Sequence, residues 1–151
     1  MIAGAALAER RPDLVVRTAG TLVVDGRPMS WRTRAALAHV GIPVPPHRSR
    51  QASLDDIERT DLVVGLAPEH VAWVRREHPT IASRTATLRR LARDLPDGDD
   101  ARGRRLFQLG LADVAPEQWE DVVDPGGSEA DAYAACAVEI VELVTVLAER
   151  L

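Results

Sequence analysis

The sequence predicts an α/β fold with a parallel sheet covered on both faces. Two short apolar runs bounded by turn residues, Leu14-Val15-Val16 (extended to Arg17) and Asp61–Leu66, read as buried strands. Segments with helix caps and helical apolar spacing follow each of them. Strands and helices alternate along the whole chain, which is the pattern of a parallel sheet with crossover helices. At 151 residues the chain fits one domain, and it shows no internal repeat and no low-complexity segment.

Taken in order, residues 1–10 read as a helix, with Ile2, Ala5, Ala6 and Leu7 on one face and Pro12 just beyond its end. After the Leu14–Arg17 strand, Thr18-Ala19-Gly20-Thr21 leaves the sheet as a loop. Ser30 can cap a helix from Trp31 to about Val40, stopped by Gly41. Pro43, Pro45 and Pro46 make a stiff extended connection. Ser53-Leu54-Asp55-Asp56 fits a capping box with a short acid, opening a short helix that ends near Thr60. The Asp61–Leu66 strand is followed by a helix from Pro68 to about Glu77, with Val71, Val74 and Trp73 inward. Thr85–Leu88 reads as a short edge strand, Arg89–Leu95 as a helix, Pro96–Asp100 as a loop and 101–112 as a helix. Asp124-Pro125-Gly126-Gly127 is a loop before a last helix, about Ser128–Arg150, with Tyr133, Cys136, Ile140, Leu143, Val144 and Leu147 on one stripe.

Composition narrows the function. Aromatics are only 3% of residues, so the core must rest on Ala, Val, Leu and Ile. No apolar run is long enough to span a membrane, and Arg10 and Arg11 follow the apolar start instead of preceding it, the wrong order for a secretory signal. The reading is a cytoplasmic protein without a membrane partner. The net charge is −4, and every basic residue is Arg. The clusters Arg84, Arg89, Arg90, Arg93 and Arg102, Arg104, Arg105 read as solvated helix faces, so no nucleic acid partner is expected. His39, His47, His70 and His78 lack ligand spacing, and no metal or other cofactor is expected. The one cysteine, Cys136, sits on the apolar stripe of the last helix and reads as an inert buried thiol. On spacing alone, Asp124-Pro125 is a plain turn and Thr18–Thr21 an ordinary strand exit.

The order of these pieces carries more than any one of them. TAGT after a strand, Gly41-Ile42 with His47–Arg50, the DLVVGL strand and the Asp124-Pro125 loop together resemble the low-molecular-weight protein-tyrosine-phosphatase family, which also includes arsenate reductases. The resemblance covers most of the chain and is weakest over Arg84–Asp121, which looks like the Arg-rich members found in actinobacteria. It implies a three-layer α/β/α domain over residues 1–151, with a four-stranded parallel sheet in the order 2-1-3-4. It also implies hydrolysis of phosphotyrosine through a phospho-cysteine intermediate. Asp124 matches the general acid that protonates the leaving oxygen, and Pro125 disfavours a helical backbone at Asp124. Thr18, where the family usually has Ser, and His47 match residues that brace the phosphate loop. Gly126 and Gly127 depart from the pattern, since many members place two aromatics there to sandwich a phenyl ring.

The family's phosphate loop, C-x5-R-S/T-P, stands between the first strand and a helix that MIAGAALAERRPDL resembles. The expectation is therefore an N-terminally truncated domain, lacking about 15 residues of strand and loop. Cys136 cannot replace the nucleophile, because Glu142 stands where the loop's Arg would close it. The chain as given is expected to be inactive alone and short of a central strand. Its partner, with the loop present, would be a phosphorylated protein or small phosphate ester. Two alternatives accompany this reading: a non-catalytic interaction domain, and an arsenate reductase, which needs further thiols.

Overall fold

Two triplets, Val-Val-Gly and Thr-Ala-Thr, make the sheet. Strand β1 (Val63–Gly65) runs parallel to β2 (Thr85–Thr87), pairing Val63 with Thr85, Val64 with Ala86 and Gly65 with Thr87. The parallel α/β character is as the sequence predicts. The computed structural model describes residues 1–98 and 100–151, so Asp99, in the loop expected over Pro96–Asp100, lies outside the described residues. The chain divides into two compact units: Met1–Gln51 with Val123–Ala148, and Ala52–Val122 with Glu149–Leu151.

The first unit holds α1 (Ile2–Arg10), α2 (Trp31–His39) and α7 (Ala130–Arg150) as far as Ala148. Ser30 caps α2 as expected, its hydroxyl accepting the Thr33 N–H at 3.0 Å. Ile2, Ala6, Ala36, Leu37, Ile42, Ala137, Ile140, Val144 and Leu147 are buried and form its core residues. The stripe on α7 lies as expected at Ile140, Val144 and Leu147, whereas Tyr133, Cys136 and Leu143 are only half-buried.

Leu14–Arg17 corrects the sequence reading. It is extended but joins no ladder, and it is not a buried run: Val15 is 87% exposed. Burial alternates from Leu14 to Thr18 in the two-residue period of a pleated chain. A strand needs a hydrogen-bonded neighbour as well as a pleat. Among the described residues the sheet consists of β1 and β2 alone.

The second unit contains the sheet, α3 (Leu54–Glu58), α4 (Pro68–Glu77), α5 (Leu88–Asp94) and α6 (Arg102–Gln108). Short 3-10 turns cover Pro79–Arg84 and Gln118–Glu120. Ile57, Val74 and Ile81 cluster with Ala52, Val63 and Trp73. Ser53 caps α3, but its hydroxyl also donates to Asp56 Oδ2, because the short Asp reaches the side chain of the cap. Strand β1 is shorter than Asp61–Leu66. Beyond it, the Leu66 carbonyl accepts the Val122 N–H at 2.8 Å. Strand β2 ends the two-stranded sheet, as expected of a short edge strand, and its triplet is buried at every position.

The arginine clusters are not uniformly solvated either. Arg90 and Arg105 are buried. Arg105 donates from Nη1 to the Pro96 carbonyl at 3.0 Å and the Arg150 carbonyl at 2.7 Å, and from Nε to the Asp100 carbonyl at 3.0 Å. A guanidinium has five donors in a fixed fork, so it can satisfy several buried carbonyls at once. No helix among the described residues is long and apolar enough to cross a membrane.

Candidate active site

Thr18 lies where the extended 14–18 segment passes α1. A Cβ built on Gly4 of α1 would sit 2.3 Å from Thr18 Cγ2 and 3.7 Å from Val16 Cγ1. Val16 and Thr18 therefore face α1, and only a glycine at position 4 permits this approach. The period-2 pleat of the segment is what aims Thr18 inward.

The chain after Thr18 is tied to the segment after His47. Gly20 N–H donates to the Arg50 carbonyl at 3.0 Å, and Gly20 bridges Gln51 in the parallel sense. Pro28 bridges Arg48 in the antiparallel sense. Gln51 acts as a surrogate backbone: Nε2 donates to the Thr21 carbonyl at 2.8 Å and Oε1 accepts the Val23 N–H at 3.0 Å. Ser49 adds its hydroxyl as acceptor for the Arg27 N–H at 2.9 Å. Asp25 Oδ1 accepts the Gln51 N–H at 2.6 Å. Sequence reasoning missed Gln51, Ser49 and Asp25. Their bonds join residues more than twenty positions apart, so local patterning carries no trace of them.

His47 is half-buried on this segment. Burial, and after it the positive α-amino group of Met1, holds its imidazole below the ordinary histidine value. It thus feels the start of α1, while Thr18 packs on the first turn of the same helix.

Asp124 is exposed in the loop before α7. Its Oδ1 accepts the Gly126 N–H at 2.9 Å. The Pro125 carbonyl then accepts the Ser128 N–H at 2.9 Å, with Gly127 at φ 82°. Only a glycine adopts that backbone at no steric cost, so Gly127 is a turn requirement here. Among the described residues no hydrogen bond joins Asp124 to Thr18 or His47. Its charge does reach Cys136: burial, then Glu139, then Asp124 push that thiol above its ordinary value. A thiol held protonated is a poor nucleophile. Among the described residues no three His, Cys, Asp or Glu side chains gather into a metal centre.

Residues 3–100 match the family described as low molecular weight phosphotyrosine protein phosphatase. The chain belongs to this family. No curated protein matches the chain. Among solved structures, the YwlE arginine phosphatase from Geobacillus stearothermophilus is similar at 24% identity and a TM-score of 0.76, covering 98% of this chain and 81% of that one. A low molecular weight protein tyrosine phosphatase from T. tengcongensis gives 22% identity and a TM-score of 0.76, covering 99% and 89%. Wzb from Vibrio vulnificus, solved in complex with benzylphosphonate, gives 16% identity and a TM-score of 0.76, covering 99% and 88%. At these identities the structural likeness speaks for the phosphatase fold, and the family match for membership.

Proposed function

We propose that this low molecular weight phosphatase-family chain carries the supporting residues for phosphate-ester hydrolysis but not the nucleophile, and does not hydrolyse phosphate esters by itself. The observation that carries the reading is the close approach of Thr18 to the start of α1 at Gly4, with the chain just after Thr18 hydrogen-bonded to the segment that follows His47. A helix start is where backbone N–H groups favour an anion. Cys136 is the one cysteine, and Glu142, not Arg, stands six positions after it.

In this reading hydrolysis needs a phosphate-loop cysteine and arginine beyond the residues given. The cysteine thiolate attacks phosphorus, the bond to the ester oxygen breaks, and Asp124 in its acid form gives that oxygen its proton. Thr18 and His47 hold the loop in place. Gly126 and Gly127 offer no ring for a phenyl phosphate to stack on. The substrates are phosphorylated proteins or small phosphate esters, met in the cytoplasm.

The test is to join a strand and a C-x5-R-S-P segment ahead of Met1 and measure hydrolysis of para-nitrophenyl phosphate. The expected result is no turnover by the chain alone and turnover by the extended protein, with Asp124→Asn lowering kcat by about 10²–10⁴. A correctly folded extended protein without turnover would instead make the chain a non-catalytic interaction domain.

A further inference from the structure

The first unit carries a groove of about 550 Å³ lined by Pro28, Met29, Arg34, Pro46, His47 and Arg48. Its charge is one-sided. Arg34 and Arg48 are both exposed, and among the described residues neither guanidinium makes a hydrogen bond or ion pair. Among the described residues no Asp or Glu lines the groove, although the whole chain carries a net charge of −4. Two like charges lining one depression without a counter-charge repel each other, and an anion placed there relieves both.

The remaining lining is apolar except for His47: Met29, which is 9% exposed, Pro28 and Pro46. An antiparallel bridge joins two of the lining residues, Pro28 and Arg48. Its volume is in the range of pockets that hold molecules much larger than a single inorganic anion. Apolar side chains beside two guanidinium groups suit a chain that alternates carbon stems with carboxylates.

We propose that this groove binds an acidic polypeptide segment, with Glu or Asp carboxylates paired to Arg34 and Arg48. The proposal goes beyond the phosphatase reading and does not depend on it, since it requires neither a nucleophile nor a phosphoryl group. His47 contributes to both places, so an acidic segment held here lies beside the candidate site.

The test uses the full chain and a fluorescein-labelled hexaglutamate peptide, read by fluorescence anisotropy at low salt. The expected result is saturable binding that weakens with added salt and falls about tenfold or more in Arg34→Glu/Arg48→Glu. The milder Arg34→Gln/Arg48→Gln gives a smaller loss in the same direction, and far-UV circular dichroism of both variants matches the parent. Arg104→Glu, which alters a 71% exposed arginine in the second unit, leaves binding unchanged. Absence of binding, equal loss in Arg104→Glu, or tighter binding of a hexauridine oligonucleotide would overturn the proposal. Because the peptide carries no phosphate, such a failure is separate from any failure of the hydrolysis assay.

Discussion

Arg90 and Glu120 form an ion pair sealed within the second unit, their side chains 10% and 1% exposed. The Glu120 carboxylate also accepts the Thr87 hydroxyl and the Glu117 N–H, while Thr87 accepts the Arg90 N–H at 3.1 Å and caps α5. One carboxylate thus joins the end of β2, the start of α5 and the turn at Gln118–Glu120. Arg90 lies 5.4 Å from the ring centre of Trp119, and Arg93 covers the same ring at 3.7 Å. Removing one member of such a pair strands the other charge. Glu120→Ala is expected to lower stability by about 3–5 kcal/mol, measured by urea unfolding. Replacing both members, as in Arg90→Met/Glu120→Leu, is expected to recover most of that loss.

The same pair sets an acid limit on stability. Burial raises the Glu120 pKa, but hydrogen bonds from Arg90, Thr87 and the Glu117 N–H outweigh it and leave the group below its ordinary value. The unfolded chain then binds a proton more readily than the folded one. The stabilisation is complete above the unfolded value, about 4.3, and is lost as pH falls through the lower folded value. Urea midpoints measured from pH 7 down to pH 3 should drop over that window, and Glu120→Gln should flatten the drop. Equal slopes in the two proteins would count against the assignment.

Gly4 and Thr18 give a second stability prediction at the candidate site. Alanine in a helix interior normally gains up to about 1 kcal/mol over glycine. Here its Cβ would stand 2.3 Å from Thr18 Cγ2, closer than two carbons can approach. Gly4→Ala should therefore destabilise, by about 1–3 kcal/mol of overpacking. Thr18→Ser removes the opposing methyl. The double variant Gly4→Ala/Thr18→Ser should be more stable than Gly4→Ala alone, a coupling that a double-mutant cycle in urea reads directly.

These cases also separate what sequence patterning exposes from what it hides. The Ser30 cap, the Pro68 helix start, the Ile140, Val144 and Leu147 part of the stripe on α7 and the parallel sheet are local or periodic features, and all were legible. Thr18, Asp124 and His47 are candidates only as members of an ordered motif set, since each alone is an unremarkable turn or loop residue. The Leu14–Arg17 run misled because apolar content and a pleat do not supply a ladder partner. Arg90 and Arg105 misled because charge suggests solvent, whereas their carbonyl and carboxylate partners lie far off in sequence. Gln51 stayed hidden for the same reason.

His47 should titrate by NMR with a midpoint below the ordinary value of about 6.5. Burial is the larger cause and the Met1 amino group the smaller. Acetylating that amino group removes its charge, so the midpoint should move up part of the way towards the ordinary value. The stability linked to neutral His47 is present above the unfolded value and is lost as pH falls through the folded one. A midpoint unmoved by acetylation would mean that the start of α1 exerts no field at His47.

Cys136 tests the field of Asp124 and Glu139. Its thiol is pushed up by burial first, then by Glu139, then by Asp124. Little thiolate exists at neutral pH, and alkylation by iodoacetamide should be slower than for a free cysteine, whose value is near 8.5. Each neutralised carboxylate should bring the pKa down and the rate up. Glu139→Gln should act more strongly than Asp124→Asn, in the order of their charges' effects. Alkylation followed by mass spectrometry across pH 6–9 gives the pKa in each variant. An unchanged rate in Asp124→Asn would show that the Asp124 charge does not act on Cys136.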